Sequence, residues 1–374
     1  MYMIKGPFGS DMKKSLYVPK SEDTYKVYVQ GNAIQKDEDL GDYYVSSEYF
    51  HQKLERFQVH PGDYIITCDG TLGKYIKLSE NIEPGVISSS LLLLKLDENK
   101  IYNKYFELLW DNSMLKYLAS QARNACLVHL PSAKAIGDVE IILPEMSVQR
   151  EIADKASAVR GIIEKRIEEV SLLDNLIKAR FVELFGEPVT NEKNWPRLTL
   201  GDICEIGSSK RVFEKDYVHN GIPFFRTKEI VELSKGNPIS TELFITKEHY
   251  AKLKKTYGAP KKDDLLISAV GTIGTIWIVN GDFEFYFKDG NLIQIKASPN
   301  FNSIFMKYLL DELIANYKNE ISTGTAYSAL TMAGMKNMLV YDVPLALQEQ
   351  FATFVHQVDK SKFVLKKGVL YEYK

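Results

Sequence analysis

Cysteine is scarce in this 374-residue chain: Cys68, Cys126 and Cys204 stand far apart and odd in number. They make neither a disulfide framework nor a zinc-ligand spacing, so a reducing cytoplasm is the expected location. Histidine is thin as well. His51, His60, His129, His219, His249 and His356 include no close pair and no helical pair flanked by glutamate, so no metal site is expected. No run of about 18 apolar residues occurs, so no membrane-spanning helix is expected. The opening MYMIKGPFGS lacks the apolar core of a signal peptide. There is no G-x-S-x-G elbow to expose a serine nucleophile. Net charge is small too, −2 at neutral pH, which argues against strong nucleic-acid affinity by the chain alone and leaves local patches open.

What the chain does have is a second copy of itself. GDYIITCDGTLGKYIKL (62–78) aligns with DDLLISAVGTIGTIWIV (263–279) at an offset of 201, pairing Gly70 with Gly271 and Gly73 with Gly274. YVSSEYF matches FITKEHY, LVHLPSA matches YSALTMA, and ILPEMSVQREIA matches YDVPLALQEQFA with Gln149 facing Gln348. A spacing near 200 residues is too long for a solenoid unit of about 20–50. It fits two copies of a whole domain with its connector.

Each copy has one plan. Short β-like runs such as DLLIS, TIWIV and NLIQIK are broken by Gly, Pro and Asn. A helical stretch comes next, KYFELLWDNSMLKYLASQA in the first copy and FMKYLLDELIANYKNEI in the second. Then comes a short strand, VEIILP or MLVYDVP, and a proline that opens a longer helix. From Ser147 to Phe185 there is no proline, and apolar residues recur at spacings of three, four and seven. Ile152, Val159, Ile163, Val170, Leu173 and Ile177 form a seam suited to a partner helix. The natural partner is the second copy, in which Phe351, Val355 and Val358 continue the pattern. GEPVTNEKNWP reads as a polar linker between the copies. The first copy is read as clipped at its front, without the first strand, and the second as clipped at its back.

With GPFGSDMKKS, GIPFFRTKEI, DLLISAVGTIGTIWIV and the helix entry VPLALQEQFATFV in this order, the chain resembles the specificity subunits of type I restriction-modification systems. The resemblance covers nearly the whole sequence. It implies an α+β, pseudo-twofold fold: two similar β-rich target-recognition domains separated by long antiparallel, coiled-coil-like helices. The expected division is 1–145, a spacer helix 146–186, 187–345, and a shortened helix 346–374. Each domain would read half of a split double-stranded DNA target, with the helices as a ruler. The helices would also dock two methyltransferase subunits. A restriction subunit, and self-association through the helices, remain open. The resemblance implies a prokaryotic cytoplasmic protein without catalysis or cofactor of its own. S-adenosylmethionine would belong to the methyltransferase partner.

The residues agree with a non-catalytic role. No NPPY or DPPY methyltransferase tetrapeptide occurs, and GTIGT lacks the Lys-Ser/Thr of a phosphate loop. Candidate DNA contacts lie at the basic and polar breaks. Ser10 is one candidate, and Lys13 and Lys14 after it are expected to occupy a place comparable to Lys210 and Arg211. Arg226, Thr227 and Lys228 come after an apolar strand, as Gln30, Gly31 and Asn32 do. Arginine pairs bidentately with guanine, and Gln or Asn with adenine. Lys254 and Lys255 lie in KLKKTYGAPKK, a source of phosphate attraction or simply a solvated face. Thr71 and Lys74, with Thr272 and Thr275, sit at the glycine turns, and Tyr43, Tyr44, Tyr257 and Tyr327 lie near polar breaks. A non-catalytic interaction scaffold, two β-rich modules on a helical spacer, explains the repeat and helices equally well and the basic turns less well.

Overall fold

The computed structural model describes residues 2–114, 130, 132–239, 243–322 and 330–372. Contacts divide the chain into two units, Met1–Ile162 and Ile163–Lys374. The division falls inside a long helix, Met146–Phe185, called the central helix below. Among the described residues no helix is long and apolar enough to cross a membrane.

Unit 1 contains strands β1 (Tyr2–Lys5), β2 (Thr24–Tyr28), β3 (Tyr44–Ser46), β4 (Tyr64–Thr67), β5 (Tyr75–Lys77), β6 (Gly85–Ile87) and β7 (Leu91–Lys95). They form an antiparallel sheet of order β1-β7-β4-β5 and a three-stranded sheet β3-β2-β6. Strand β7, LLLLK, buries its four leucines because both faces of its sheet are covered. Successive strand residues point to opposite faces, so Ile65, Leu91 and Leu93 enter one core cluster. Tyr64, Ile66, Leu92 and Leu94 enter the other, against Phe106 and Trp110.

Unit 2 contains β8 (Arg197–Thr199), β9 (Ile206–Gly207), β10 (Tyr217–Val218), β11 (Ile222–Phe225), β12 (Phe244–Ile245), β13 (Leu265–Ser268), β14 (Ile276–Ile278), β15 (Tyr286–Phe287), β16 (Leu292–Ile295) and β17 (Leu339–Tyr341). Its sheets run β9-β16-β13-β14 and β10-β12-β11-β15, with β17-β8 apart. This is the unit 1 topology again, down to the parallel pair: β2 with β6, and β11 with β15. Register repeats as well, since Ile65 faces Ile76 where Leu266 faces Trp277.

The two glycine segments are the hairpins β4–β5 and β13–β14. Gly70, Gly73, Gly271 and Gly274 all have φ between 69° and 84°, a left-handed backbone that glycine adopts without steric cost. In each turn a hydroxyl replaces a missing ladder bond. Thr67 Oγ1 accepts from Lys74 N–H at 3.0 Å, and Ser268 Oγ from Thr275 N–H at 2.9 Å. The repeated glutamines also match. Buried Gln149 accepts from Tyr102 N–H and donates to the Pro144 carbonyl, while Gln348 accepts from Asn302 N–H and donates to the Val343 carbonyl.

Within unit 2 the central helix packs against the helix Leu345–Glu372. The ring of Phe181 lies 5.3 Å from that of Phe351, and Phe185 lies 5.6 Å from Phe351 and 4.7 Å from Phe305. Lys362 pairs with Asp174 at 2.8 Å, and Gly368 sits against the Arg166 guanidinium. Contact partners rise along one helix as they fall along the other, so the pair is antiparallel.

Two expectations change. Of the seam, Ile177, Phe351, Val355 and Val358 are buried and Leu173 packs on them, while Ile163 and Val170 are half-buried. Ile152 and Val159 are 38% and 40% exposed. In that stretch Gln149 and Ala153, four apart, take the buried positions, and Ile152 and Val159 lie off their line. VEIILP is not a strand, and Ile142 is 81% exposed. Its counterpart β17 is a strand because β8 supplies a ladder partner, and no described strand lies beside residues 139–144. Strand β1 pairs with β7 as β9 pairs with β16.

Candidate nucleic-acid interface

The parallel strands β11 and β15 end side by side, and the residues just beyond each end are polar. After β11 comes Arg226 and the helix Thr227–Ser234. After β15 the chain runs Lys288–Asn291 into β16. Lys288 N–H donates to the Phe225 carbonyl at 2.8 Å and fixes the two ends together. Ala269 N–H donates to the Asn291 carbonyl at 2.8 Å, tying in the hairpin turn. Ser208 Oγ donates to the Leu292 carbonyl at 2.9 Å, and Lys210 N–H donates to the Tyr286 hydroxyl at 3.0 Å. Four segments, 208–211, 226–228, 269–275 and 288–291, thus converge.

A cavity of about 330 Å³ opens there, lined by Glu214, Tyr217, Arg226, Thr227, Lys228, Leu243, Lys288 and Asn291. Its side chains divide into engaged and free. Arg211 is paired with Asp289 at 2.9 Å. The Arg226 guanidinium holds Glu229 at 2.8 Å, and Arg226 N–H donates to the same carboxylate at 2.8 Å. Burial pushes the Glu229 carboxyl up, but these bonds outweigh it and hold the group below its ordinary value. Lys210 lies over the Tyr257 ring at 5.5 Å. By contrast, the side chains of Glu214, Lys228, Lys288 and Asn291 make no hydrogen bond or ion pair among the described residues. The Thr227 hydroxyl is buried with no partner among the described residues.

Unit 1 assembles the same constellation from other residues. Ser88 N–H donates to the Tyr28 carbonyl at 2.8 Å, and Cys68 N–H to the Ser90 carbonyl at 3.0 Å. Ser88 and Ser90 therefore stand where Lys288 and Asn291 stand. Val29 N–H donates to Asn32 Oδ1 at 2.8 Å, the same helix-start bond that Arg226 makes with Glu229. Gln30 consequently matches Thr227, and its amide reaches the Asp69 carbonyl at 2.9 Å.

These equivalences correct the expected contacts. Asn32 matches Glu229 rather than Lys228. It is fully buried, and its amide also donates to the Asp37 and Leu40 carbonyls at 2.9 Å. It is a helix cap, with nothing left for a base. Lys13 and Lys14 do not match Lys210 and Arg211. The bridge Val18–Tyr44 corresponds to the pair Val218–Phe244, which sets Lys13 and Lys14 opposite Phe213 and Glu214. Ser10 and Lys14 are exposed on short 3-10 turns, and Lys13 is exposed between those turns.

Thr71, Lys74 and Thr272 are exposed at the hairpin turns, and Thr275 is half-buried with its hydroxyl on the Thr272 carbonyl at 3.2 Å. Lys254 is paired with Glu284 at 2.8 Å, and Lys254 and Lys255 line a separate cavity with Ile222. Ile222 begins β11, so that cavity lies at the opposite end of the strand from Arg226. Tyr44 is buried on Glu83, whereas Tyr43 and Tyr257 are exposed. Tyr327 lies outside the described residues. Sequence reasoning passed over Lys288 and Asn291. The signal was the polar KDGN between FYF and LIQI, opposite SSS in the first copy.

The family model for the type I restriction modification DNA specificity domain matches residues 192–372. The EcoBI type I restriction enzyme specificity subunit of Escherichia coli is 24% identical over 354 residues, covering 84% of this chain and 70% of that one. Residues 192–372 thus match the type I restriction-modification specificity domain, and the chain is similar to type I specificity subunits over most of its length. A Haemophilus influenzae relative described as a type I specificity subunit, S.HindORF215P, is 25% identical over 268 residues, or 70% of this chain. The match spans 66% of that relative, just under two thirds of its length.

Among solved structures, the type I restriction-modification S subunit of M. genitalium aligns with a TM-score of 0.52 at 15% identity, covering 99% of this chain and 90% of that one. A chain from a study of assembly and conformational transition of the type I system aligns at 0.58 and 16% identity, covering 95% and 88%. The specificity-subunit fold, with two β-rich regions and long helices packed together, is the fold of this chain.

Proposed function

We propose that this chain is the non-catalytic DNA-recognising subunit of a type I restriction-modification complex, with each β-rich unit reading one half of a split target. One observation carries the reading. The same strand-end loops are built twice on one register, yet the side chains at matching positions differ: Gln30, Ser88 and Ser90 against Thr227, Lys288 and Asn291. Shared backbone with divergent polar side chains is what two domains reading different half-sites require, because base edges are distinguished by their donors and acceptors. Residues 1–145 and 187–345 are the recognition regions in this reading. The helical segments 146–186 and 346–374 set their spacing and dock two methyltransferase subunits, which bring S-adenosylmethionine. A small net charge suits a subunit that shares its phosphate contacts with such partners.

The test is to express the chain with a type I methyltransferase subunit from the same source and to sequence the methylated adenines of the host. A bipartite motif with a fixed non-specific spacer is expected. A continuous motif, or no methylation dependent on this chain, would overturn the reading.

A further inference from the structure

The central helix is anchored at both ends and bare between them. Near its start Gln149 is held by Tyr102 N–H and by the Lys100 and Pro144 carbonyls, and Ala153 is buried in the unit 1 core. Near its end Ile177, Phe181 and Phe185 are buried in the unit 2 core. The connector behind it is a cap rather than a slack link. Trp195 Nε1–H donates to the Phe185 carbonyl at 2.9 Å, and the Lys193 ammonium donates to the Glu183 and Leu184 carbonyls, which the last helical turn leaves open. Each end of the helix is thus fixed to its own unit.

The stretch 154–176 includes no buried residue. Side-chain ties narrow the gap further. On the unit 1 side Arg160 pairs with Asp111 at 3.5 Å, and on the unit 2 side Arg166 lies against Gly368. The boundary between the units, at Ile162 and Ile163, falls between these ties. So does Gly161, the only glycine of the 40-residue helix. An interior helical glycine is disfavoured about fivefold relative to alanine. Close packing accounts for Gly368, where a Cβ would strike the Arg166 guanidinium, but not for Gly161, where a Cβ meets no atom within 4 Å among the described residues. The helix therefore carries its weakest residue at the point where neither unit supports it.

Resting on the reading of both units as recognition domains, we propose that Gly161 is a hinge, at which the central helix bends as each unit settles on its own half-site. Hinges are a few residues that absorb a change in φ and ψ while the bodies on either side stay rigid. A bend at one residue alters the angle between the halves of the helix and leaves the number of residues between the units unchanged. Both cores are spared, since Ala153 and Ile177 lie about two and four turns away.

The experiment uses the full chain with its methyltransferase subunits, spin-labelled at Glu80→Cys in unit 1 and Asn220→Cys in unit 2. Cys126→Ser leaves buried Cys68 and Cys204 as the native thiols. Pulsed EPR reads the distance distribution between the labels. Gly161→Ala is expected to narrow it, with the population away from the main peak reduced about fivefold. A duplex carrying the methylated motif is expected to shift the wild-type distribution and to bind Gly161→Ala about fivefold more weakly. Adding Glu164→Gly to Gly161→Ala returns a glycine to the gap and should restore both properties. Adding Ala179→Gly, between buried Ile177 and Phe181, should restore neither. Identical distributions for wild type and Gly161→Ala would overturn the hinge, even if the variant melts higher, for the glycine would then only weaken the helix. A wild-type distribution that the duplex leaves unmoved, or rescue by Ala179→Gly, would overturn it too. A narrowed distribution in Gly161→Ala together with a wild-type motif that is not split would keep the bending and remove the recognition reading beneath it.

Discussion

Asn32 and Glu229 occupy matching positions and start their helices with different chemistry. Both accept the backbone N–H three residues earlier, satisfying a donor that the first helical turn leaves orphaned. Asn32 is neutral and uses its amide on nearby loop carbonyls. Glu229 is charged and binds the Arg226 guanidinium. Their pH behaviour should therefore separate. Glu229 has a folded value held below its ordinary one, so its contribution is present above the unfolded carboxyl value near 4.3. That contribution is lost as pH falls through the folded value. The melting deficit of Glu229→Gln is expected to be largest near pH 7 and to shrink below about pH 4. Asn32→Ala strands several buried polar groups and should cost about 2–3 kcal/mol by urea denaturation, with no pH trend of its own. A deficit for Glu229→Gln that grew on acidification would show that the carboxylate is not what stabilises the turn.

At the scale of the element, the central helix shows why a periodic seam is not yet an interface. The apolar spacing runs unbroken from Ile152 to Ile177, and the sequence offers no sign that its two ends differ. Burial depends on what lies alongside, and Phe181 is 3% exposed while Val159 is 40% exposed. Phe181→Ala should cost about 3–5 kcal/mol, for it empties space between Phe185, Phe305 and Phe351. Val159→Ala should stay within about 1 kcal/mol. Thermal unfolding of the pair decides, and equal losses would contradict the division. The same dependence on a neighbour explains VEIILP, whose composition matches β17 but which lacks an adjoining strand among the described residues. What could be read directly was local: alternating runs and glycine turns, which carry their cause within a few residues. Matching loop positions across the copies could not, because the segment between residues 4 and 18 is longer than its counterpart, and only strand pairing shows where the extra residues fall. Lys13 and Lys14 were misaligned for that reason, and Asn32 by a single residue.

The whole molecule is a duplication joined through one uninterrupted helix, Met146–Phe185, and the proposed function gives that helix a metric role. An α-helix advances about 1.5 Å and turns about 100° per residue, so its length and its rotation cannot be changed independently. Inserting four alanines after Glu164 adds about 6 Å and about 40° beyond one full turn. Stacked base pairs are about 3.4 Å apart, so a ruler lengthened this way should widen the non-specific spacer of the methylated motif by roughly two base pairs. Both half-sites should keep their sequences, since neither set of strand-end loops is touched. Inserting two residues instead turns the helix by about 200° and should abolish methylation, because the second recognition surface would face away from the duplex. An unchanged spacer after the four-residue insertion, or retained methylation after the two-residue one, would mean that the helix does not set the distance. Alteration of a half-site sequence by either insertion would mean that the units do not read DNA independently.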